Sequence, residues 1–88
     1  MDYEKIVHAL IDDIVADPKS ILIRVSEGTT PKDVLILIAA EKDDTARLIG
    51  HKGIIANALR ETVGIAGKSE GKHIHIKFES FEEDKVGA

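Results

Sequence analysis

Gly50-His51-Lys52-Gly53 is the stretch of this chain whose residue types and spacing most clearly carry chemistry. Glycine accepts positive φ and lets another backbone come close without a Cβ in the way. A turn with glycine at both ends, opening a helix at Gly53, exposes main-chain N–H groups beside the positive end of the helix dipole. Such a surface suits phosphate. His51 and Lys52 are then held at the apex, where Lys52 supplies a fixed positive charge. Contact of this kind fixes the position of a strand but reads no sequence. His73 and His75 lie two apart and share a strand face, but a zinc site needs at least a third ligand. The sequence does not bring His8 or His51 to them, so they read as an exposed polar pair. The glycine loop lacks the GxxxxGK(S/T) spacing of a nucleotide-binding loop. There is no cysteine nucleophile, the serines have no evident His–Asp partners, and carboxylate runs such as Glu82-Glu83-Asp84 read as solvated charge. We expect a non-catalytic protein with neither metal nor cofactor.

The elements that would hold this turn follow from hydrophobic periodicity. Tyr3, Ile6, Val7, Leu10, Ile11, Ile14 and Val15 recur at helical spacing opposite Glu4, Lys5, Asp12 and Asp13, which predicts a helix over about 3–16 with Asp2 as N-cap and Pro18 as the stop. Ile21, Ile23 and Val25 alternate with Leu22, Arg24 and Ser26, as in a strand with one mainly buried face. Glu27 to Lys32 carries turn chemistry and suggests a hairpin. Val34 to Ala40 is apolar on both faces, the pattern of a central strand. Asp43 or Asp44 then caps a short helix through Ala46, Leu48 and Ile49, which the glycine turn interrupts. A second helix starts near Gly53, with Ile54, Ile55, Ala58, Leu59, Thr62 and Val63 along one side. Gly64 weakens it, and Gly67 is its natural C-terminal cap. His73 to Glu79 alternates strictly, with Ile74, Ile76 and Phe78 inward. The predicted order is α-β-β-α-α-β, an α+β fold with a three-stranded mixed sheet and three helices packed on one face. Its last strand lies parallel to the central one by a right-handed crossover.

Length and charge bound the rest. The chain has 88 residues, room for one domain, expected over 1–80 with an acidic tail over 81–88. The absence of cysteine excludes a disulfide framework and suits a reducing compartment. No stretch approaches the ~20 apolar residues of a membrane span, and the N-terminus lacks the pattern of a secretory signal, so we expect a cytoplasmic protein. The net charge is −4, but it is unevenly spread. Residues 1–44 hold five Lys/Arg against ten Asp/Glu, residues 45–77 hold six against two, and residues 78–88 hold one against four. Charges beyond a Debye length of about 8–10 Å are screened, so the basic middle can face a polyanion while the remainder stays acidic.

Leu48-Ile49-Gly50-His51-Lys52-Gly53 resembles the IGxxG signature of KH domains, and the element order matches their type II arrangement. The stretch Ala46 to Lys77, with Gly53-Ile54-Ile55-Ala56-Asn57-Ala58-Leu59-Arg60 and Glu70-Gly71-Lys72, is similar to the small stand-alone KH proteins of bacteria, the KhpA type. The resemblance implies binding of single-stranded RNA, with about four nucleotides clamped beside the GxxG loop. It also implies a place in post-transcriptional regulation or RNA chaperoning, as a homodimer or beside a larger KH-containing partner. The RNA-binding residues it points to are Arg47, Ile49, Gly50, His51, Lys52, Gly53, Arg60 and Lys72. With so few aromatics, strong base stacking is not expected. The alternative is a KH-like protein–protein interaction module with little direct RNA binding.

Overall fold

A computed structural model describes residues 1–81; most of the expected acidic tail lies outside the described residues. The order is α1 (Tyr3–Ile11), β1 (Leu22–Glu27), β2 (Asp33–Ala40), α2 (Lys42–Ile49), α3 (Ile54–Lys68) and β3 (His73–Ser80). The α+β arrangement with three helices on a mixed sheet is as expected. The sheet runs β1-β2-β3, with β1 antiparallel and β3 parallel to β2. Short apolar runs rich in Ile and Val make the strands, and β2 is central because it pairs on both sides, with β1 from Val34 to Ala39 and with β3 from Asp33 to Ala40. Val7 and Ile11 of α1, Leu48 of α2, and Leu59 and Val63 of α3 close over Ile23, Val34, Ile36, Ile38 and Ile76 of the sheet.

Three local expectations are corrected. The first helix ends at Ile11 rather than near 16, although its apolar stripe runs on to the buried Val15. The reason is tertiary. Asp44, only 2% exposed, takes the N–H groups of Ala16 and Asp17 at 2.8 and 3.1 Å. Those donors are then lost to the carbonyls of Asp12 and Asp13, which a continuing helix would need. Pro18 instead opens a separate 3-10 turn, Pro18–Ser20. The same contact explains the second correction: neither Asp43 nor Asp44 caps α2, whose N-cap is Glu41 with no side-chain cap bond. Third, Gly67 is not the cap of α3, which is Ser69, but its buried penultimate residue, where a Cβ would come within 2.4 Å of Ile74 Cγ1. The chain reverses at Gly71, at φ +72°.

Among the described residues, only one face of the sheet is covered. Leu22 and Leu35 on the opposite face stay exposed, so β2 is central in its hydrogen bonding but not sandwiched. Val25, expected inward with Ile21 and Ile23, is also exposed. Asp2 caps α1 as expected, its carboxylate accepting the Lys5 N–H at 3.1 Å.

Candidate nucleic-acid interface

The turn between α2 and α3 is built from backbone conformations that few residues adopt. Gly50 has φ +77° and ψ 174°, Lys52 φ +56° and ψ 25°, and Gly53 φ +77° and ψ 17°. A Gly53 N–H bond to the Gly50 carbonyl at 3.1 Å closes it, and Gly50 N–H ties it back to Ala46 at 2.9 Å. The two glycines have different reasons to be there. At Gly50 a Cβ would meet Ile55 Cγ1 at 2.5 Å, so this residue lets α2 and α3 pack closely. At Gly53 a Cβ would meet nothing within 4 Å: only the positive φ requires glycine, and the space above it is open. Lys52 is the one described non-glycine residue at positive φ, a conformation costing about 1–2 kcal/mol. His51 and Lys52 are both exposed at the apex, and Ile49 is partly exposed at the end of α2. The leading amides of α3 have no earlier helical carbonyl to bond; the Ile54 N–H is taken up by His51.

Along the α3–β3 boundary lies a groove lined by Arg60, Gly64, Ile65, Lys68, Lys72 and Ile74 among others. β3 is an edge strand. His73 N–H bonds Lys32 and Phe81 N–H bonds Ala40, so the odd-numbered residues face β2 and the main-chain groups of Ile74, Ile76 and Phe78 face outward. Arg60 lies across this edge, donating to the Ile76 carbonyl at 3.3 Å with its guanidinium 5.5 Å from the centroid of the Phe78 ring.

The expected site residues therefore fall into three places. Ile49 to Gly53 form the turn; Arg60 and Lys72 flank the groove; Arg47 stands apart on α2, its guanidinium 2.7 Å from Asp44. Lys72 is also engaged, donating to the Pro31 carbonyl at 3.1 Å. Sequence reasoning missed Gly64 as a groove residue and Phe78 as the support for Arg60. The signal was present in the i, i+4 spacing of Arg60, Gly64 and Lys68 on one helix face. Asp44 carries the site's main electrostatic perturbation. The Ala16 N–H, foremost, holds its carboxyl below the usual range against the opposing effect of burial, helped by the Asp17 N–H and Arg47. Of the two strand histidines, His75 has Nε2 3.5 Å from Asp33 Oδ1. Among the described residues no group of three or more His, Cys, Asp or Glu could hold a metal ion, and no helix is long and apolar enough to cross a membrane.

Comparison with protein families matches the chain to the KhpA/KhpB KH domain over residues 4–78. The chain belongs to that family. The match takes in α1 and all three strands to Phe78, so the glycine turn and the groove both lie inside the KhpA/KhpB KH domain. KH domains are RNA-binding modules rather than enzymes, and RNA binding is what membership implies for this chain. Comparison with curated proteins and with solved structures gives no match.

Proposed function

We propose that this protein is a small, non-catalytic cytoplasmic component of post-transcriptional regulation that holds single-stranded RNA through the Gly50–Gly53 turn. The observation carrying this reading is the open space above Gly53 beside a lysine kept in a strained conformation. Strain of this sort persists where the surroundings over-determine it, and it concentrates at functional sites. Lys52 stands where a phosphate resting on the turn would meet it, and His51 adds a second donor. Gly50 and Gly53 let the sugar-phosphate backbone approach, while Ile49 forms the apolar step beside it. Arg60 and Lys72 line the route that the strand takes towards β3, and Arg47 adds positive potential from α2 with one nitrogen held by Asp44. Bases turned towards β3 meet the outward main-chain groups of Ile74 and Phe78.

One such module binds weakly and in a salt-dependent way, because its grip is mainly on phosphate. A homodimer or a larger KH-containing partner would raise affinity through effective concentration. An apolar trough of about 180 Å³ between α1 and α3, lined by Leu10, Ile14, Ile55, Ala58, Leu59 and Thr62, suits such an assembly. The same trough, with Ile54 64% exposed next to the turn, favours the second reading: a KH-like module whose main ligand is protein.

Replacing His51 and Lys52 together with Asp tests the choice, since both side chains are exposed and the fold does not use them. The folded double variant should lose at least tenfold in affinity for a uridine oligomer at low salt, with a shallower salt slope. Unchanged affinity would remove the turn as the grip. Wild type that binds no oligomer yet elutes as a dimer would favour the protein-interaction reading.

A further inference from the structure

Gly64 has no internal explanation. It lies in the middle of α3, where glycine is the least favourable residue after proline. Its φ is not positive, and a Cβ built on it meets nothing within 4 Å. Neither backbone conformation nor packing within the chain calls for glycine there. Gly67, by contrast, is explained by Ile74 pressing against it. What lies above Gly64 is the groove between α3 and β3, with a volume of about 350 Å³, within the range of small-molecule sites. At Gly64 the groove is lined by backbone with no side chain above it.

The groove's polar groups are specific in kind. Arg60 offers five N–H donors, of which one is given to the Ile76 carbonyl. That bond, with the Phe78 ring beneath, fixes the guanidinium's position. Glu61, the next residue, lines the same groove and can only accept. Guanine matches both: N7 and O6 accept on one edge, and the N2 amino group donates on another. Adenine would turn its N6 amino group towards the Arg60 donors. Arg60, Lys68 and Lys72 together outweigh Glu61, which suits a base still attached to its phosphates. The groove also continues the proposed grip, since Gly53 and Gly64 lie on one helix about 16 Å apart.

We infer that the groove over Gly64 seats one guanine of the bound strand, with Arg60 meeting its O6/N7 edge and Glu61 its amino edge. This rests on the Gly50–Gly53 turn being the phosphate grip. The full chain should be titrated, by fluorescence anisotropy, with uridine oligomers carrying a single G, A or C. The G-containing oligomer should bind about tenfold more tightly than the A-containing one. In Gly64→Ala the ratio should fall close to one while the melting temperature rises, a combination that misfolding cannot produce. Glu61→Gln, at an exposed position, should lower the same ratio. Equal affinities for G, A and C in wild type, or a G preference surviving in Gly64→Ala, would overturn the inference and leave the grip standing. Failure of every oligomer to bind would overturn the grip itself, and this inference with it.

Discussion

Adding one methyl group at Gly50 and, separately, at Gly53 should give unequal losses of stability, although both residues have φ +77°. At Gly53, ψ of 17° lies near the left-handed helical region, where an L-residue is strained by about 1–2 kcal/mol. The new Cβ meets nothing, and alanine also restricts the unfolded chain by about 0.4–1 kcal/mol, so the net loss should be about 1 kcal/mol. At Gly50, ψ of 174° belongs to a region that is essentially glycine-only, at about 1–3 kcal/mol. The added Cβ must also displace Ile55 Cγ1 from 2.5 Å and crowd the Ile55 N at 3.0 Å, a further ~1–3 kcal/mol of overpacking. The sum is about 2–6 kcal/mol, centred on about 3 once the same unfolded-state term is subtracted, a large part of the ~5–10 kcal/mol expected for a domain of this size. In thermal unfolding Gly53→Ala should melt roughly 4–8 °C lower than wild type, and Gly50→Ala about 15 °C lower or not fold. Urea titration should show unchanged m-values for whichever variants fold. Equal melting temperatures for the two variants, or a Gly50→Ala protein as stable as wild type, would refute the reasoning. If the turn grips RNA, Gly53→Ala should also bind more weakly while remaining folded.

Other perturbations have signs that follow from the contacts. Asp44→Asn should lower the melting temperature at neutral pH. The wild-type carboxyl is held below its usual 3.8, so its contribution is complete above that pH and fades as pH falls below it; the variant's stability should be flatter across this acid range in pH-dependent melting. Burial, then the hydrogen bond and charge of Glu70, raise the Tyr3 phenol above its usual 10.0, so its contribution is present below pH 10.0 and lost as pH rises through the raised value. Tyr3→Phe should lose about 1 kcal/mol from the 2.9 Å bond to Glu70 and remove that alkaline decline in denaturant titrations. Gly67→Ala should destabilise by about 1–3 kcal/mol through its collision with Ile74, the opposite sign to Gly64→Ala three residues earlier in the same helix.

What could be read from the sequence was what local pattern determines. The strict alternation of His73 to Glu79 gives the inward set Ile74, Ile76 and Phe78, because a strand's side chains must alternate faces. The Gly50–Gly53 pair marks the turn because positive φ leaves little choice of residue. What could not be read depends on distant partners. The apolar stripe from Tyr3 to Val15 does not show that Asp44, 28 positions beyond Ala16, will take the N–H groups needed to extend the helix. Gly67 reads as a helix cap, and the approach of Ile74, which makes it a packing contact in the last turn of α3, is not visible in the sequence. Arg47 and Arg60 look alike in sequence, yet one is held by a buried carboxylate and the other lies across a strand edge. Gly64 looked like a helix weakness because its open neighbour, the groove, exists only once α3 packs beside β3.

The most direct test of the turn as the RNA grip is an NMR titration of the isotope-labelled chain with a uridine oligomer at low salt. The amide signals of Gly50, His51, Lys52, Gly53 and the first turn of α3 should shift together and saturate at one affinity, and added salt should reverse the shifts. Shifts confined to the uncovered sheet face around Leu22 and Leu35, with the turn's amides unmoved, would contradict it.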